Sequence, residues 1–361
     1  MIAYARLRNQ RLSSAGFRTP SDVVSWLGAV QAQDYLGAKW AVAMRMRRGT
    51  DVAVEQAFAA GEILRTHVMR PTWHFVAPGD IRWMLQLTAP RVRATMAPYD
   101  RALEIDARLV GRSNRVIAAA LKGDGQLTRQ ELKVRLRKAG IAADGVQRLA
   151  HLMMHAELDG VICSGPVRGK QFTYALLEER APSGRTLPRE AALAELTRRY
   201  FASHGPAQVQ DFVWWSGLRA SDARAGVDML RRDLVEDVID GKTYWRSASK
   251  RATKPPRTAH LLPLYDEYLI GYRDRSAVLD AESWKPIAGR DPFSAAVVLD
   301  GRVIGGWKRA VRNGMVAIDL YLPRSISNAD SRLVTAAAQR FGTFLGATVT
   351  TTRTDVSRSA P

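Results

Sequence analysis

One group of polar side chains that could orient a water molecule lies at positions 31–34, where the sequence is Gln31, Ala32, Gln33 and Asp34. A glutamine amide can orient a water molecule through its oxygen and its nitrogen, but it cannot hold an abstracted proton at neutral pH. Residues two apart are separated by about 200° in a regular helix, so both amides can face one site only if the backbone leaves helical geometry. We therefore predict a helix end or an irregular turn near Gln31.

Asp34 has two interpretations at this stage. It could assist the glutamines, either by stabilising positive charge or by accepting the proton of the water. It could equally be a helix cap or a surface charge. The two glutamines have an alternative as well, since exposed polar side chains of this kind are common on protein surfaces.

Other arrangements with chemical potential are weak. His151 and His155 stand four apart on a predicted helix, which is a metal-ligand spacing, but no third ligand is evident, and we expect no metal. The segment 301–308 lacks the spacing of a phosphate-binding loop, and no Ser-His-Asp arrangement is present. Cys163 is the single cysteine, which excludes an intramolecular disulfide and a cysteine-rich zinc site. We expect no cofactor.

The composition indicates a globular protein with a polyanionic partner. The chain has 361 residues, 46% of them hydrophobic, and its 54 Lys and Arg against 35 Asp and Glu give a formal net charge of +19. Such an excess attracts DNA, RNA or an anionic membrane surface. No stretch approaches the roughly 20 apolar residues that span a bilayer, and the N-terminus lacks the features of a secretory signal. We therefore expect a cytoplasmic protein without a membrane partner.

The elements that must position these residues repeat along the chain. Residues 127–177 predict a helix with a capping box at Thr128 and Glu131, a second helix and a hairpin with Arg168 and Lys170 at its tip. The same order is predicted for 188–246, with the hairpin turning at Asp240-Gly241. A looser copy lies in the first hundred residues, where 19–33 reads as helix. Helix, helix, hairpin is the order of a winged helix, whose basic tip would contact phosphate, although a structural scaffold could use it too.

We therefore predict an α+β fold of tandem winged-helix (helix-turn-helix) modules, followed by a small C-terminal β-barrel with a terminal helix. A basic, proline-containing linker at 250–263 precedes the barrel. The predicted modules are 1–110, with the candidate catalytic segment and connecting helices, 111–185, 186–250 and 251–350, and the tail 351–361 is expected to be disordered.

An ordered set of motifs resembles the AlkZ/YcaQ superfamily of winged-helix DNA glycosylases. The motifs are QAQD at 31–34, RPTWHFV at 70–76, DFVWWSGL at 211–218, LLPLYDEYLIGYRDRS at 261–276 and GGWKR at 305–309. The resemblance implies a C-shaped protein with three winged helices and a β-barrel around a basic channel. It also implies excision of 7-alkylguanine and related bulky or crosslinked adducts, with a catalytic glutamine, aliphatic residue, glutamine motif that matches Gln31, Ala32 and Gln33. The second glutamine places the chain on the AlkZ side.

This resemblance makes a monofunctional enzyme the leading hypothesis, because no lysine Schiff base is implied. A 7-alkylated purine is already cationic and departs as a neutral base, so a water held by two amides would suffice, whereas uracil would need stronger acid–base help. The predicted partner is double-stranded DNA containing alkylated purines. The alternative is a non-enzymatic winged-helix transcription regulator. Such regulators usually dimerise, and no dimerisation helix is evident here, which favours a monomer.

Further candidates for the site or for DNA contact lie outside this segment. Arg70, Trp73 and His74 fall on the hairpin of the first module, where His74 could contact phosphate, line the pocket or pack beneath the hairpin. Lys308 and Arg309 could approach the DNA backbone. Asp266 and Glu267, close to Arg273 and Arg275, suggest an ion-pair network or a carboxylate that faces the lesion. We expect three tryptophans to be structural, namely Trp40, Trp214 and Trp215.

Overall fold

The computed structural model describes residues 2–14, 16–248, 256–280, 284, 293–312 and 314–356. It is a mixed α+β fold, as the sequence predicts. None of the described helices is both long enough and apolar enough to cross a bilayer.

The first unit surrounds the candidate catalytic segment with a three-stranded sheet of order β1-β3-β2. Helix α2 begins at Pro20 behind a capping box of Thr19 and Asp22, and it ends at Gly28, whose φ of +85° is favourable only for glycine. The predicted helix over 19–33 is therefore wrong beyond Leu27. The elements are α2 Pro20–Leu27, β1 Val30–Gln31, α3 Tyr35–Ala43, α4 Asp51–Ala60, β2 Leu64–His67 and β3 Trp73–Val76.

The second unit repeats this order after a long connecting helix. The capping box of Thr128 and Glu131 is present as predicted, and the three-stranded sheet has the order β4-β6-β5. The elements are α5 Ile81–Ala102, α6 Ala107–Leu121, β4 Leu127–Thr128, α7 Arg129–Lys138, α8 Val146–Leu158, β5 Ile162–Arg168, β6 Gln171–Leu176 and α9 Leu177–Arg180.

The third unit has three helices and a two-stranded hairpin. Ala207 forms an isolated bridge with Trp245 at the position that β1 and β4 occupy in the other units. Asp240 and Gly241 have φ values of 49° and 71°, so the predicted tight turn is confirmed. The elements are α10 Arg189–Ser203, α11 Val209–Ser216, α12 Ala220–Met229, β7 Leu234–Ile239 and β8 Lys242–Ser247.

The C-terminal unit is an open five-stranded sheet of order β13-β12-β11-β10-β9, so the described residues do not close into the predicted β-barrel. Strand β13 pairs in parallel with β12, whereas 351–361 was predicted to be disordered; residues 357–361 lie outside the described residues. Likewise, 259–262 of the predicted linker form β9, and 250–255 lie outside the described residues. The elements are β9 Ala259–Leu262, α13 Glu267–Ile270, β10 Ala296–Leu299, β11 Arg302–Arg312, β12 Met315–Pro323, α14 Asn328–Leu345 and β13 Thr348–Val356.

The hydrophobic cores cross the module boundaries drawn from the sequence. Helix α1, Ile2–Asn9, packs Ala3 and Leu7 in one cluster with residues of the C-terminal unit. Helix α5 contributes to a core shared with the third unit, and α3 packs against the C-terminal sheet and α14. The candidate segment 31–34 therefore lies where three units meet.

Candidate active site

Gln31 lies in β1 and Gln33 at a bend between β1 and α3, so the predicted break in helical geometry is confirmed. Gln31 pairs with His74 across the sheet, which places both side chains on one face. Gln31 is 6% exposed, whereas Gln33 is exposed. One amide is thus enclosed by protein, and the other faces solvent.

The buried amide of Gln31 is held by Arg70. Nη2 of Arg70 donates to Oε1 of Gln31 at 2.8 Å and approaches Nε2 of His74 at 3.3 Å. Because an arginine can only donate, Nε2 of His74 is the acceptor, and Nδ1 donates to the backbone oxygen of Thr72 at 2.9 Å. Burial, then the charge of Arg70, lowers the pKa of His74 well below its ordinary value. His74 is fully buried, which agrees with packing beneath the hairpin and leaves it no surface for phosphate contact in this conformation.

The other arm of Arg70 reaches the third unit. Nη1 donates to the backbone oxygen of Trp215 at 2.8 Å, one of the carbonyls at the C-terminal end of α11 that lack a helical partner. The turn that carries Arg70 packs closely there: a Cβ on Gly217 would lie 2.2 Å from the oxygen of Met69. The first hairpin is therefore fixed against the end of α11.

Glu267 is fully buried directly behind Gln31. Its Oε1 accepts the backbone N–H of Gln31 at 2.9 Å, and its Oε2 accepts the indole N–H of Trp215 at 2.9 Å and lies 3.4 Å from Nε2 of His204. Burial alone would raise the pKa of Glu267, but His204, Arg70 and the N–H of Gln31 lower it below its ordinary value. Glu267 connects the first, third and C-terminal units, and its carboxylate is enclosed by protein in this conformation.

Asp266 forms a second buried contact beside it. Its carboxylate accepts from Nη1 and Nη2 of Arg45 at 3.0 and 2.9 Å, and Arg45 also donates to Oε1 of Gln10. The side chains of both Arg45 and Asp266 are fully buried. The predicted ion-pair network of Asp266 and Glu267 thus exists, but its partners come from the first and third units instead of Arg273 and Arg275.

Asp34 is both a helix cap and one half of an ion pair. Its carboxylate accepts from the backbone N–H of Gly37 at 3.2 Å at the start of α3. Nη2 of Arg309, on β11, binds both carboxylate oxygens at 3.0 and 2.7 Å. Arg309 is therefore engaged with the candidate segment, whereas Lys308 is exposed. In this conformation the carboxylate of Asp34 is paired with a cation.

Trp73 belongs to a cation–aromatic stack beside the segment. The guanidinium of Arg65 lies 4.4 Å from the ring centre of Trp73 and 4.5 Å from that of Phe172. Nε of Arg65 donates to the backbone oxygen of Ala32 at 3.1 Å. Burial lowers the pKa of Arg65 to about 10. This stack fixes the backbone between the two glutamines from the side of the second unit.

Arg168 and Lys170, the predicted phosphate contacts of the second hairpin, differ in whether they have an ion-pair partner among the described residues. Arg168 forms an ion pair with Glu131 of the capping box, and the hydrogen bond from Thr128, followed by that from Arg168, lowers the pKa of Glu131 to about 2. Lys170 is exposed at the turn. Within the described residues, Lys170 is thus the more available cation.

The histidine pair and the tryptophans have structural contacts. His151 and His155 both bind the carboxylate of Asp100, at 2.8 and 3.0 Å. The described residues contain no group of His, Cys, Asp and Glu suited to a metal ion. Trp215 is fully buried, Trp40 is 3% exposed and donates to the oxygen of Leu261, and Trp214 remains 38% exposed.

Sequence reasoning missed Arg45, Arg65 and His204 as parts of this site. Their partners are distant in sequence, as in the contact between Arg45 and Asp266, 221 residues apart. The sequence analysis did identify the motif that contains Glu267, but the local pattern does not indicate in which direction the carboxylate of Glu267 points.

Comparisons with known proteins agree with one another. A family model described as DNA glycosylase AlkZ-like matches residues 24–344. A protein of Streptomyces sahachiroi described as an interstrand DNA cross-link repair glycosylase is 27% identical over 318 residues, which cover 84% of this chain and 85% of that protein. The solved structure described as Streptomyces sahachiroi DNA glycosylase AlkZ matches with a TM-score of 0.82 and 24% identity over 98% of each chain, which shows a common fold.

Proposed function

The chain belongs to the AlkZ-like DNA glycosylase family, and we propose that it hydrolyses the N-glycosidic bond of cationic alkylated purines in double-stranded DNA. Gln31 and Gln33 position the attacking water, and Asp34 assists by stabilising positive charge. The observation that carries this proposal is the pair of amides at a non-helical bend, one fixed by Arg70 and one open to solvent.

The chemistry of the site matches a leaving group that is already charged. The glycosidic bond breaks with its electron pair going to the base, whose positive charge is thereby neutralised. The oxygen of water bonds to C1′ of the sugar, and one proton of the water is released to solvent. Neither amide can act as a strong acid or base, so positioning supplies the catalysis. The enzyme would be monofunctional and leave an abasic site, because water and not a lysine amine is the nucleophile in this step.

We propose that the three units with helices followed by a hairpin are winged helices that hold the duplex. Support comes from their shared element order and from the net charge of +19. The exposure of Gln33 suits bulky or crosslinked adducts, which do not fit an enclosed pocket. The Streptomyces relative is described as acting on interstrand cross-links, and we extend this class of substrate to the chain as a proposal. The protein would act as a monomer.

Release of 7-methylguanine from a duplex tests this function. We expect base release by the wild type, strong loss in Gln31→Ala and Gln33→Ala, and DNA affinities within about two-fold of each other, because neither amide carries the charge that binds phosphate. Uracil-containing duplex serves as the control and should not be cleaved. Efficient uracil release would contradict the mechanism. Binding without release from any 7-alkyl adduct would favour a transcription regulator.

A further inference from the structure

Gln31 has a defined amide orientation that follows from chemistry alone. Nη2 of Arg70 lies 2.8 Å from one terminal atom of the amide, and an arginine has no acceptor with which to receive the amide N–H. The atom facing Arg70 must therefore be the oxygen, and the NH₂ group must face away from Arg70. Among the described residues no hydrogen bond is found for that NH₂ group.

We infer that Arg70 is a positioning residue that presents the NH₂ group of Gln31 to the reaction, so that Gln31 donates a hydrogen bond to the attacking water and the amide oxygen of Gln33 accepts a hydrogen bond from it. The inference rests on the proposed function and divides two equivalent side chains into different roles. The oxygen of Gln31 is already engaged by a cation, which weakens it as an acceptor. The amide of Gln33 is exposed, and its oxygen is free of any such contact among the described residues.

Three contacts keep Arg70 in place. Nη1 is bonded to the end of α11 at 2.8 Å, and the second proton of Nη2 is directed to His74 at 3.3 Å. The nearby carboxylate of Glu267 supplies a buried negative charge, which opposes the loss of charge that burial favours for Arg70. The guanidinium is therefore held in one orientation, which also fixes the direction of its hydrogen bond to Gln31.

A lysine at position 70 cannot make the same two contacts as Arg70. Its single ammonium nitrogen cannot reach both the oxygen of Gln31 and the end of α11 with the planar fork that Arg70 uses. Arg70→Lys therefore keeps the charge and removes the orientation, and Arg70→Met removes both. Arg180→Met is a matched control, because Arg180 donates to the oxygens of Ala59 and Phe58 at 2.9 and 2.8 Å and joins two units without touching the site.

The first test is a double-mutant cycle on the single-turnover rate of 7-methylguanine release. We expect Arg70→Lys and Arg70→Met to lower the rate about 10- to 100-fold when Gln31 is present and to have no further effect in Gln31→Ala. DNA affinity should stay within about two-fold for the lysine variant, and Arg180→Met should release base at the wild-type rate. An equal loss in both backgrounds would mean that Arg70 acts through packing, and it would overturn the inference.

The second test does not depend on activity. In protein with ¹⁵N-labelled glutamine, the side-chain amide signal of Gln31 is assigned by its absence in Gln31→Ala, and its order parameter is measured. We expect a rigid amide in the wild type and in Arg180→Met and a mobile amide in Arg70→Met. An equally rigid amide in Arg70→Met would overturn the inference. If the wild type releases no base, the proposed function fails, and the amide signal still decides the role of Arg70.

Discussion

Gln31 and Gln33 stand two residues apart and have opposite surroundings. We call Gln31, with Arg70, His74, His204 and Glu267, the anchored side, and Gln33, with Asp34 and Arg309, the open side. The anchored side is buried, except for the half-buried Arg70, and receives contacts from three units. The open side is partly or fully exposed, and among the described residues its side-chain contact with another unit is the pair with Arg309 on β11. The difference shows how one short motif can combine a fixed group with a group that adapts to a large substrate. Fixed geometry favours rate, and an open surface favours access.

We expect Glu267→Ala to cause the largest loss in the free energy of unfolding, because it removes the carboxylate that holds the anchored side. The change leaves the N–H groups of Gln31 and Trp215 without their acceptor and removes the buried charge opposite Arg70. Loss of one partner from a buried charged network costs about 3–5 kcal/mol. Urea unfolding should show this loss in the free energy of unfolding, with Glu267→Gln affected less. A loss below about 1 kcal/mol in Glu267→Ala would mean that the anchored side is not held by this carboxylate.

A fall in pH should cause the next largest loss of stability on the anchored side. Burial lowers the pKa of His74 and, against the opposing effect of Glu267, that of His204, so both bind protons less readily in the fold than in the unfolded chain, where histidine titrates near pH 6.5. The unfolded state then binds more protons, so stability is full above that pH and falls as pH falls. Each histidine contributes a slope of at most about 1.4 kcal/mol per pH unit. His204→Asn should reduce the slope of unfolding free energy between pH 6.5 and 5, and an unchanged slope would contradict the assignment.

Asp34 offers a smaller perturbation on the open side. Asp34→Ala removes both the cap of α3 and the pair with Arg309, and we expect a loss of about 1–2 kcal/mol. Asp34→Asn retains a capping oxygen and should cost less than about 1 kcal/mol. Thermal and urea unfolding measure the difference. A loss in Asp34→Asn as large as that of Glu267→Ala would remove the distinction between the two sides.

Lys170→Ala should have the smallest effect. The side chain is exposed at the second hairpin, so stability should not change, and DNA affinity should weaken evenly across sequences. The slope of log K against log salt should fall by about one unit if Lys170 binds one phosphate. Glu131→Gln would release Arg168 and is the matched opposite change, with an increase in affinity expected. An unaltered salt slope in Lys170→Ala would place this hairpin away from DNA.

Local features of this fold could be predicted from the sequence because their causes are local. The capping box of Thr128 and Glu131 and the turn at Asp240-Gly241 each depend on residues within a few positions. The break near Gln31 followed from the angular period of a helix. Residues 351–356 were misjudged because the threonine-rich run has no hydrophobic alternation, and it becomes a strand only by pairing with β12.

The rear of the site could not be predicted because its contacts join distant residues. Glu267 binds the N–H of Gln31 across 236 positions, and no local pattern indicates which backbone group a carboxylate will accept. The motif around Asp266 and Glu267 was recognised, yet the nearest arginines in sequence suggested the wrong partners. Propensity and periodicity describe elements, and the choice of partner depends on how whole units dock.

Helix α1 is synthesised well before the residues on which it docks. Its Ala3 and Leu7 pack in one cluster with Leu262, Tyr268 and Leu269, and Tyr268 donates to the oxygen of Gly301 at its side. At about 5–20 residues per second, the ribosome synthesises residue 269 on the order of 10–50 s after residue 12. The apolar surface that Ala3 and Leu7 present to this cluster therefore stays uncovered until residues 262–269 have been synthesised. Docking of α1 on the C-terminal unit is thus a late step in folding during synthesis.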